Sequence, residues 1–368
     1  MLRKLSVAVV ACACVLTSFS QIASVPVDSI SATRPADDQQ KKPTLTITGS
    51  ADAYYKYDFA KTKANTFTSF TGSQNAFALG MASLKMEHTS AKTDVVLDLG
   101  FGPRAKEFAY TDDGITQAIK QLYVSYSPAE WIKFTAGTWA THVGYELVDP
   151  QLNRNYSMSY MFTNGPFSHT GLKADITRGK HAFMIGISNP TDYRIVPDGY
   201  MNKKFLIAQY SYAPNEKIKF YLNYVGGKSL DTSKTKQFDV VATAKVSDKF
   251  NIGYNGTFTS LQTWDGVKNL SANNWWGSAL YLNYDPITWF GLTLREEYFS
   301  DKDHLKLTMA PAGCTMVAST LSANFKVNSL ILIPEFRLDN SSEKMFVDKN
   351  GAAVSTAANV LLAAIYSF

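Results

Sequence analysis

The sequence has almost no cysteine and, beyond its first twenty residues, no long apolar run. Of the three cysteines, Cys12 and Cys14 lie in an apolar N-terminal stretch, which leaves Cys314 alone in the rest of the chain. A single thiol cannot form an internal disulfide, so the mature chain is predicted to have none even in an oxidising compartment. The lack of 18 or more consecutive apolar residues after that stretch excludes membrane-spanning helices.

The sequence also lacks a large excess of charge of either sign. Its 36 basic and 31 acidic residues give a formal charge of +5, and loss of Arg3 and Lys4 with a signal peptide leaves 34 against 31, or +3. This balance argues against nucleic-acid binding, which needs a basic stripe. Aromatic residues, in contrast, are plentiful (22 Phe, 20 Tyr and 6 Trp). An exported, aromatic-rich chain without spanning helices is either a secreted β-rich protein or a membrane barrel.

The N-terminus has the parts of a secretory signal peptide. A short basic start (1–4) precedes an apolar run (5–16), and small residues stand just before Gln21. We therefore predict a cleaved signal peptide at 1–20 and export across the inner membrane. Cys12 could also belong to a lipoprotein cleavage box, but the apolar run continues past it. Residues 21–43 show no periodicity and are predicted to be a flexible periplasmic lead-in.

From Thr44 onward the chain repeats a two-residue alternation of apolar and polar residues. Its segments are longer than the strands of soluble sheets and match the 9–11 residues or more that a tilted bilayer crossing needs. Seven short connections alternate with eight longer polar ones, among them 141–169 and 261–273. This pattern predicts an all-β fold over 44–368, a closed antiparallel transmembrane β-barrel of sixteen strands, with fourteen or eighteen as alternatives.

The last strand ends in two aromatic residues. Val360, Leu362, Ala364, Tyr366 and Phe368 fall on one face of an extended chain. The closing strand of outer-membrane porins is similar, because it also tends to end in a phenylalanine that the barrel-assembly machinery reads. The resemblance implies that Tyr366 and Phe368 are an assembly signal, and that this machinery and outer-membrane lipid are partners.

The opposite faces of the strands are polar and charged. In a dry core each unpaired charge would cost several kcal/mol, and these residues are too numerous for all to be expected to pair. A water-filled lumen of mixed charge is therefore predicted. The residues concerned include Asp52, Lys56, Lys85, Glu87, Asp94, Asp98, Lys133, Lys219, Asp239, Lys245, Asn255, Arg295, Glu297, Asn324, Lys326, Glu335 and Arg337.

The longest connection, 141–169, is rich in aromatic residues and poor in charge. It follows the fifth predicted strand, and a loop of this length and composition is expected to fold back into the barrel. Its few charged side chains would then narrow the bore. They would face charged side chains on the barrel wall, and these opposed charges would produce a transverse field. The residues predicted to line this constriction are Glu146, Asp149, Arg154, Lys133, Arg295, Glu335 and Arg337.

Three pieces of the same connection, 144–146, 153–157 and 165–171, resemble the OmpL-like family of putative beta-barrel porins. The resemblance implies an outer-membrane porin through which small polar solutes or ions diffuse passively, with no cofactor. Porins often form homotrimers, so a trimer is an expectation. The chain lacks the acidic glycine-rich motif found in the corresponding loop of general porins.

Other functions were weighed against this one. Ser168 and His169 are neighbours that point apart in an extended segment, and neither G-x-S-x-G nor H-E-x-x-H occurs, so no enzyme is predicted. The acidic stretches at 112–114 and 301–303 are interpreted as turns rather than calcium sites. The lead-in is too short for the plug domain of an energy-coupled receptor. The alternative function is a closed structural or adhesive barrel that binds partners through its outer loops.

Overall fold

The computed structural model describes residues 43–368, which form a closed antiparallel β-barrel of sixteen strands. The predicted fold class and strand count are confirmed. The predicted signal peptide (1–20) and all but the last residue of the predicted lead-in (21–43) lie outside the described residues.

Each barrel strand pairs with its neighbours in the chain, and the first strand closes the barrel against the last. The barrel strands are β1 (Thr44–Asp58), β2 (Ala76–Thr89), β3 (Thr93–Phe101), β4 (Ile119–Ala129), β5 (Ile132–Ala140), β6 (Ser168–Arg178), β7 (His181–Ser188), β8 (Phe205–Asn215), β9 (Ile218–Lys228), β10 (Lys234–Lys245), β11 (Phe250–Trp264), β12 (Asn269–Ile287), β13 (Phe290–Asp301), β14 (Cys314–Val327), β15 (Leu330–Ser341) and β18 (Thr356–Ser367).

Short turns join the strands at one end of the barrel, the turn end, and loops join them at the other, the loop end. The loops are numbered 1 to 8 in chain order: 59–75, 102–118, 141–167, 189–204, 229–233, 265–268, 302–313 and 342–355. The prediction of a long loop at 261–273 was wrong. There, β11 and β12 continue as an extended hairpin whose tip is only loop 6, because the polar residues that suggested a loop are solvent-facing strand residues.

The loops contain the remaining regular structure. A small sheet of β16 (Phe346–Val347) and β17 (Ala353–Val354) lies in loop 8. Helix α1 (Pro103–Phe108) and a 3-10 helix (Gly114–Ala118) lie in loop 2. Loop 3 contains a 3-10 helix (Pro150–Leu152) and α2 (Tyr160–Asn164). Within residues 43–368, no helix has the length and apolar character needed to cross a membrane.

The alternation of residues places an apolar surface on the outside of the barrel. Outward apolar side chains, such as Phe101, Leu222 and Phe336, are exposed. Aromatic residues at the turn end, including Trp131, Tyr284 and Trp289, are also exposed, as an interfacial girdle would be. The outer surface therefore suits contact with lipid.

The C-terminal residue completes the seam between β1 and β18. The amide of Phe368 donates to the carbonyl of Gly49 at 3.0 Å, and the amide of Gly49 donates back to the Phe368 carbonyl at the same distance. A Cβ on Gly49 would lie 2.6 Å from the Phe368 ring, so the ring occupies the space that the glycine leaves free. Tyr366 and Phe368 both face outward and are exposed.

Candidate functional site: the barrel lumen

Loop 3 folds into the lumen and lies against β12–β15. Tyr156, Met158 and Tyr160 in the middle of this loop are fully buried. Ser159 begins α2, and its hydroxyl accepts a hydrogen bond from the amide of Phe162, which is the usual serine N-cap. The short helix turns the chain so that backbone groups of the loop face charged side chains of the wall. We call the inward faces of β12–β15 the clamped wall.

Two arginines of the clamped wall bind backbone carbonyls of loop 3. Arg295, on β13, donates to the carbonyl of Ser157 at 2.7 Å and forms an ion pair of 2.5 Å with Glu146. Arg337, on β15, donates to the carbonyl of Met158 at 2.7 Å and to Asp339 at 2.9 Å. Both arginines are almost completely buried, so their charges are used to hold the loop.

Two glutamates of the same wall accept hydrogen bonds from loop 3 amides. Glu335 receives the amides of Tyr156 at 2.8 Å and Ser157 at 3.1 Å. Glu297 receives the amides of Tyr160 and Met161, each at 2.9 Å, at the start of α2. Carboxylates that accept several backbone N–H groups make strong, charge-assisted contacts. The clamped wall therefore satisfies both the donors and the acceptors of the loop.

Arg154 ties loop 3 to the turn end of the clamped wall. Its guanidinium pairs with both oxygens of Asp285 at 2.9 and 2.6 Å and donates to Thr293 at 2.8 Å. Asn324, on β14, donates to the Arg154 carbonyl at 3.0 Å. A bidentate pair fixes orientation as well as position, so this residue also holds the loop.

Glycines on inward positions of the wall make room for the loop. A Cβ at Gly253 would lie 2.5 Å from the Tyr145 ring, and one at Gly277 would lie 2.4 Å from Met161. A Cβ at Gly291 would lie 2.2 Å from Asp285 and 2.7 Å from Arg154. At each position a larger residue would displace a loop 3 contact.

Part of the lumen near the seam is apolar, which the alternation did not predict. Tyr156 packs with Ile333, Leu361 and Ile365 on the inner faces of β15 and β18. Its hydroxyl donates to Asp52 of β1 at 2.5 Å. Both faces of β18 are therefore apolar, one towards the outside and one towards loop 3.

The two ends of loop 3 are held by aspartates. Asp239, on β10, accepts from the amide of Gly144 at 3.0 Å. Asp192, in loop 4, accepts from the amides of Phe167 and Ser168, both at 2.7 Å, and from the Tyr110 hydroxyl at 3.0 Å. Burial raises the pKa of Asp192 to about 6, against the opposing effect of these donors. We call Asp192 and its donors the loop 4 latch.

Asp149 contacts a different part of the barrel. It pairs at 2.5 Å with Lys120 of β4, which also pairs at 3.0 Å with Asp98 of β3 and donates to Ser83 at 2.9 Å. Loop 3 thus has one ionic contact on the side of the barrel that faces away from the clamped wall.

We call the inward faces of β4–β8 the open wall. A hollow of about 50 Å³ remains on this wall. Lys133, Lys173 and Asp175 are its charged lining residues, and Trp139 and His142 also line it. At the loop end, a cavity of about 440 Å³ lies between loops 3, 4, 5 and 7. A gap of about 10 Å³ separates loop 3 from β10 and β11 beside Asp239 and Asn255, and it shares Gly165, Pro166 and Gln237 with the loop-end cavity.

The structure brings most of the predicted constriction residues together in the lumen. Glu146, Arg154, Arg295, Glu335 and Arg337 meet at the clamped wall, where they hold loop 3. Asp149 and Lys133 lie apart from them, on or near the open wall. Lys133 on β5 and Arg295 on β13 lie on opposite sides of the barrel, because seven strands lie between β5 and β13 on either side of the sixteen-stranded barrel.

Water is not needed to explain the charges of the clamped wall. The expectation that too many inward charges are present to pair does not hold there, because loop 3 supplies backbone partners as well as Glu146. The carboxylates of Glu297 and Asp339, absent from the predicted constriction, also take part in this network. Their inward position in the strand alternation was the available signal.

The rejected alternatives can be located in the structure. His169 lies 3.0 Å from the Thr141 hydroxyl, whereas the Ser168 hydroxyl has no hydrogen-bond partner among residues 43–368. In the same part of the chain, no group of three or more His, Cys, Asp or Glu side chains is arranged to hold a metal ion. The acidic stretch at 301–303 includes Asp301, whose carboxylate accepts three amides of loop 7.

Comparison with known proteins gives the same type of barrel. Residues 44–368 match the family model described as putative beta-barrel porin-2, OmpL-like. The trimer form of OmpT from Vibrio cholerae is similar with a TM-score of 0.59 at 10% identity, covering 89% of this chain and 99% of that one. The outer membrane channel DcaP of Acinetobacter baumannii gives 0.59 at 12% identity, with coverages of 89% and 97%. Another porin gives 0.51 at 12% identity, with coverages of 88% and 100%. No curated protein matches the chain.

Proposed function

Since this chain belongs to the OmpL-like family of putative beta-barrel porins, we propose that it forms a water-filled channel for passive diffusion of small hydrophilic solutes or ions across the outer membrane. Family and fold are those of an outer-membrane porin-type barrel and of a non-enzymatic channel.

The observation that carries the proposal is the unequal filling of the lumen. Loop 3 occupies the side of the clamped wall, while a cavity of about 440 Å³ at the loop end and the hollow of the open wall lie on the other side. The gap beside Asp239 and Asn255 is the smallest of the three spaces. We therefore propose that the constriction lies between loop 3 and β10–β11. Of the predicted constriction residues, Lys133 lines the route and the others position the loop.

Recordings of refolded protein in planar bilayers test the function. A channel of this design is expected to give stepwise current increments of small, uniform size, and liposomes containing it should swell in small sugars or amino acids faster than in larger ones. Folded protein that inserts without any current would contradict the proposal.

The second candidate is the closed structural or adhesive barrel. The observation that favours it is the gap of about 10 Å³, which is about the space of a single water. If the barrel is closed, folded protein should give no current until loop 3 is released from the clamped wall. The same recordings therefore distinguish the two functions.

We further propose that Tyr366 and Phe368 act as the assembly signal. Their exposure on the outer face of the closing strand leaves both rings available to another protein during insertion. Substitution Phe368→Ala should lower the yield of heat-modifiable folded barrel in cells. An equal substitution at Phe336, an exposed outward aromatic of β15, is the control.

A homotrimer is proposed by analogy with the trimer form of OmpT alone. Chemical cross-linking of the protein in native membranes should give a ladder that ends at three copies. A ladder that ends at one copy would contradict it.

A further inference from the structure

The hollow of the open wall contains buried polar atoms that make no hydrogen bond within residues 43–368. The indole nitrogen of Trp139 has no hydrogen-bond partner within residues 43–368, although the side chain is only 4% exposed. Neither carboxylate oxygen of Asp175 accepts a hydrogen bond from the described chain, and this residue is 5% exposed. Buried polar groups are nearly always paired. Asp175 has the Lys173 ammonium as its ionic partner, so it is the indole N–H of Trp139 that points to a bound solute or ion able to accept a hydrogen bond.

The charges around the hollow favour an anion. Lys133 and Asp175 are direct cross-strand neighbours on β5 and β6, and Lys173 lies one inward position further along β6. The Lys173 ammonium is 3.5 Å from Asp175 and 5.3 Å from the centre of the Trp139 ring. The charged lining of the hollow is thus two lysines and one aspartate, and the indole N–H of Trp139 is a further donor.

We propose that this hollow is a binding subsite for small organic anions bearing a carboxylate, and that it makes the channel prefer anions. The proposal rests on the proposed channel function and names its solute class. A solute carboxylate would lie between the two lysines and accept from Trp139 Nε1. A space of 50 Å³ accommodates about four water-sized groups, which is the size of acetate.

The position of the subsite suits a diffusing solute. It lies on the wall opposite the loop 3 clamp, and His142, at the start of loop 3, lines it. A solute that passes the gap beside Asp239 would therefore meet the lysines next. Weak binding at such a site speeds selective passage, because it raises the local concentration of the preferred solute without trapping it.

Reversal potentials in planar bilayers test the preference, first in a KCl gradient and then with potassium acetate opposite potassium chloride. The wild-type channel is expected to pass chloride and acetate in preference to potassium. Lys173→Gln should lower the anion-to-cation permeability ratio about fivefold, the effect of one contact-distance charge. Asp175→Asn should raise it. Lys236→Gln, which removes the same charge from an exposed outward position of β10, is the matched control.

A second measurement separates this proposal from the channel function. Quenching of Trp139 fluorescence by iodide and by caesium is compared in folded, detergent-solubilised protein, with Trp139→Phe to identify the signal and free tryptophan amide to normalise it. Iodide is expected to quench more strongly, acetate should reduce that quenching, and Lys173→Gln should weaken it. If the protein carries no current but shows this quenching pattern, the channel function is overturned and the subsite is retained.

Three results would overturn the subsite. The first is a wild-type channel that prefers potassium to chloride. The second is an equal effect of Lys173→Gln and Lys236→Gln on the permeability ratio. The third is equal normalised quenching by iodide and caesium.

Discussion

The clamped wall and the open wall carry the same kinds of charged residue, but they use them differently. On the clamped wall, Arg295 and Glu297 meet carbonyls and amides of loop 3 and are buried. On the open wall, Lys173 has a long ion pair with Asp175, and the pair lines a hollow of about 50 Å³. The difference shows that inward charge alone does not make a wet lumen. A segment that supplies matching backbone groups converts a charged wall into a binding surface for the chain itself.

The largest effect is expected when the clamp loses its central arginine. Arg295→Gln leaves Glu146 and the Ser157 carbonyl without their cation, and breaking a buried ion pair costs about 3–5 kcal/mol. Loop 3 should leave the wall, so single-channel conductance should rise at least about twofold. The midpoint temperature at which the contacts of loop 3 melt should fall.

The matched control is Arg178→Gln, at an exposed position at the end of β6. It should change neither quantity. Unchanged conductance in a correctly folded Arg295→Gln protein would show that the charges of the clamped wall do not hold loop 3 in place.

An intermediate effect is expected from filling one of the glycine positions. Gly253→Ala places a methyl group 2.5 Å from the Tyr145 ring, which also stacks on Tyr281. The resulting overpacking should cost about 1–3 kcal/mol and shift the start of loop 3. Broader conductance levels in bilayer recordings would show this shift.

Gly256→Ala is the comparison for that substitution. It lies on the same strand facing outward, where its methyl group meets only the movable hydroxyl end of Tyr254. Identical recordings from the two variants would argue against a role for the glycines in seating the loop.

A smaller, pH-dependent effect is expected at the loop 4 latch. The pKa of Asp192 is raised to about 6 in the folded loops. The latch is therefore most stable when Asp192 is protonated. The stability that the protonated carboxyl contributes is lost as the pH rises through 6. Acidification from pH 7 to pH 5 should reduce spontaneous current fluctuations, which the recordings measure directly.

Asp192→Asn should remove this pH dependence. Asparagine accepts the same amide hydrogen bonds without titrating, and it tolerates the positive φ of 69° at this position. Retention of the pH dependence in Asp192→Asn would place the titrating group elsewhere.

The smallest effect is expected on the far side of loop 3. Asp149→Asn removes one of two carboxylates from Lys120, which keeps Asp98 and Ser83 as partners. Conductance should stay within experimental error and stability should change by less than about 1 kcal/mol. A change as large as that of Arg295→Gln would mean that loop 3 is held equally from both sides.

The barrel itself could be predicted from the sequence because its signal is local. Alternation such as that of Val360 to Phe368 follows from the period of a strand and needs no knowledge of distant residues. The extended hairpin of β11 and β12 escaped detection because its solvent-facing residues, among them 265–274, have the composition of a loop.

The arrangement of the lumen could be predicted only in outline. The aromatic content of 141–169 indicated an in-folded loop, and alternation placed Glu335 and Arg337 inward. Their partners are separated from them by about 180 residues in the chain, as in the contact of Glu335 with Tyr156. No local pattern reports such a pairing. Glycines at inward positions, such as Gly253 and Gly277, were an available sign that something approaches the wall closely.

The extended hairpin of β11 and β12 has a practical consequence. Its tip, Asp265 to Lys268, closes on itself through the amide of Val267 and the Asp265 carboxylate at 2.8 Å, and Val267 is 83% exposed. Foreign peptides are tolerated where the backbone is exposed and makes few contacts. The tip is therefore the natural place to insert an epitope or an affinity handle for surface display, since such a graft would touch neither wall.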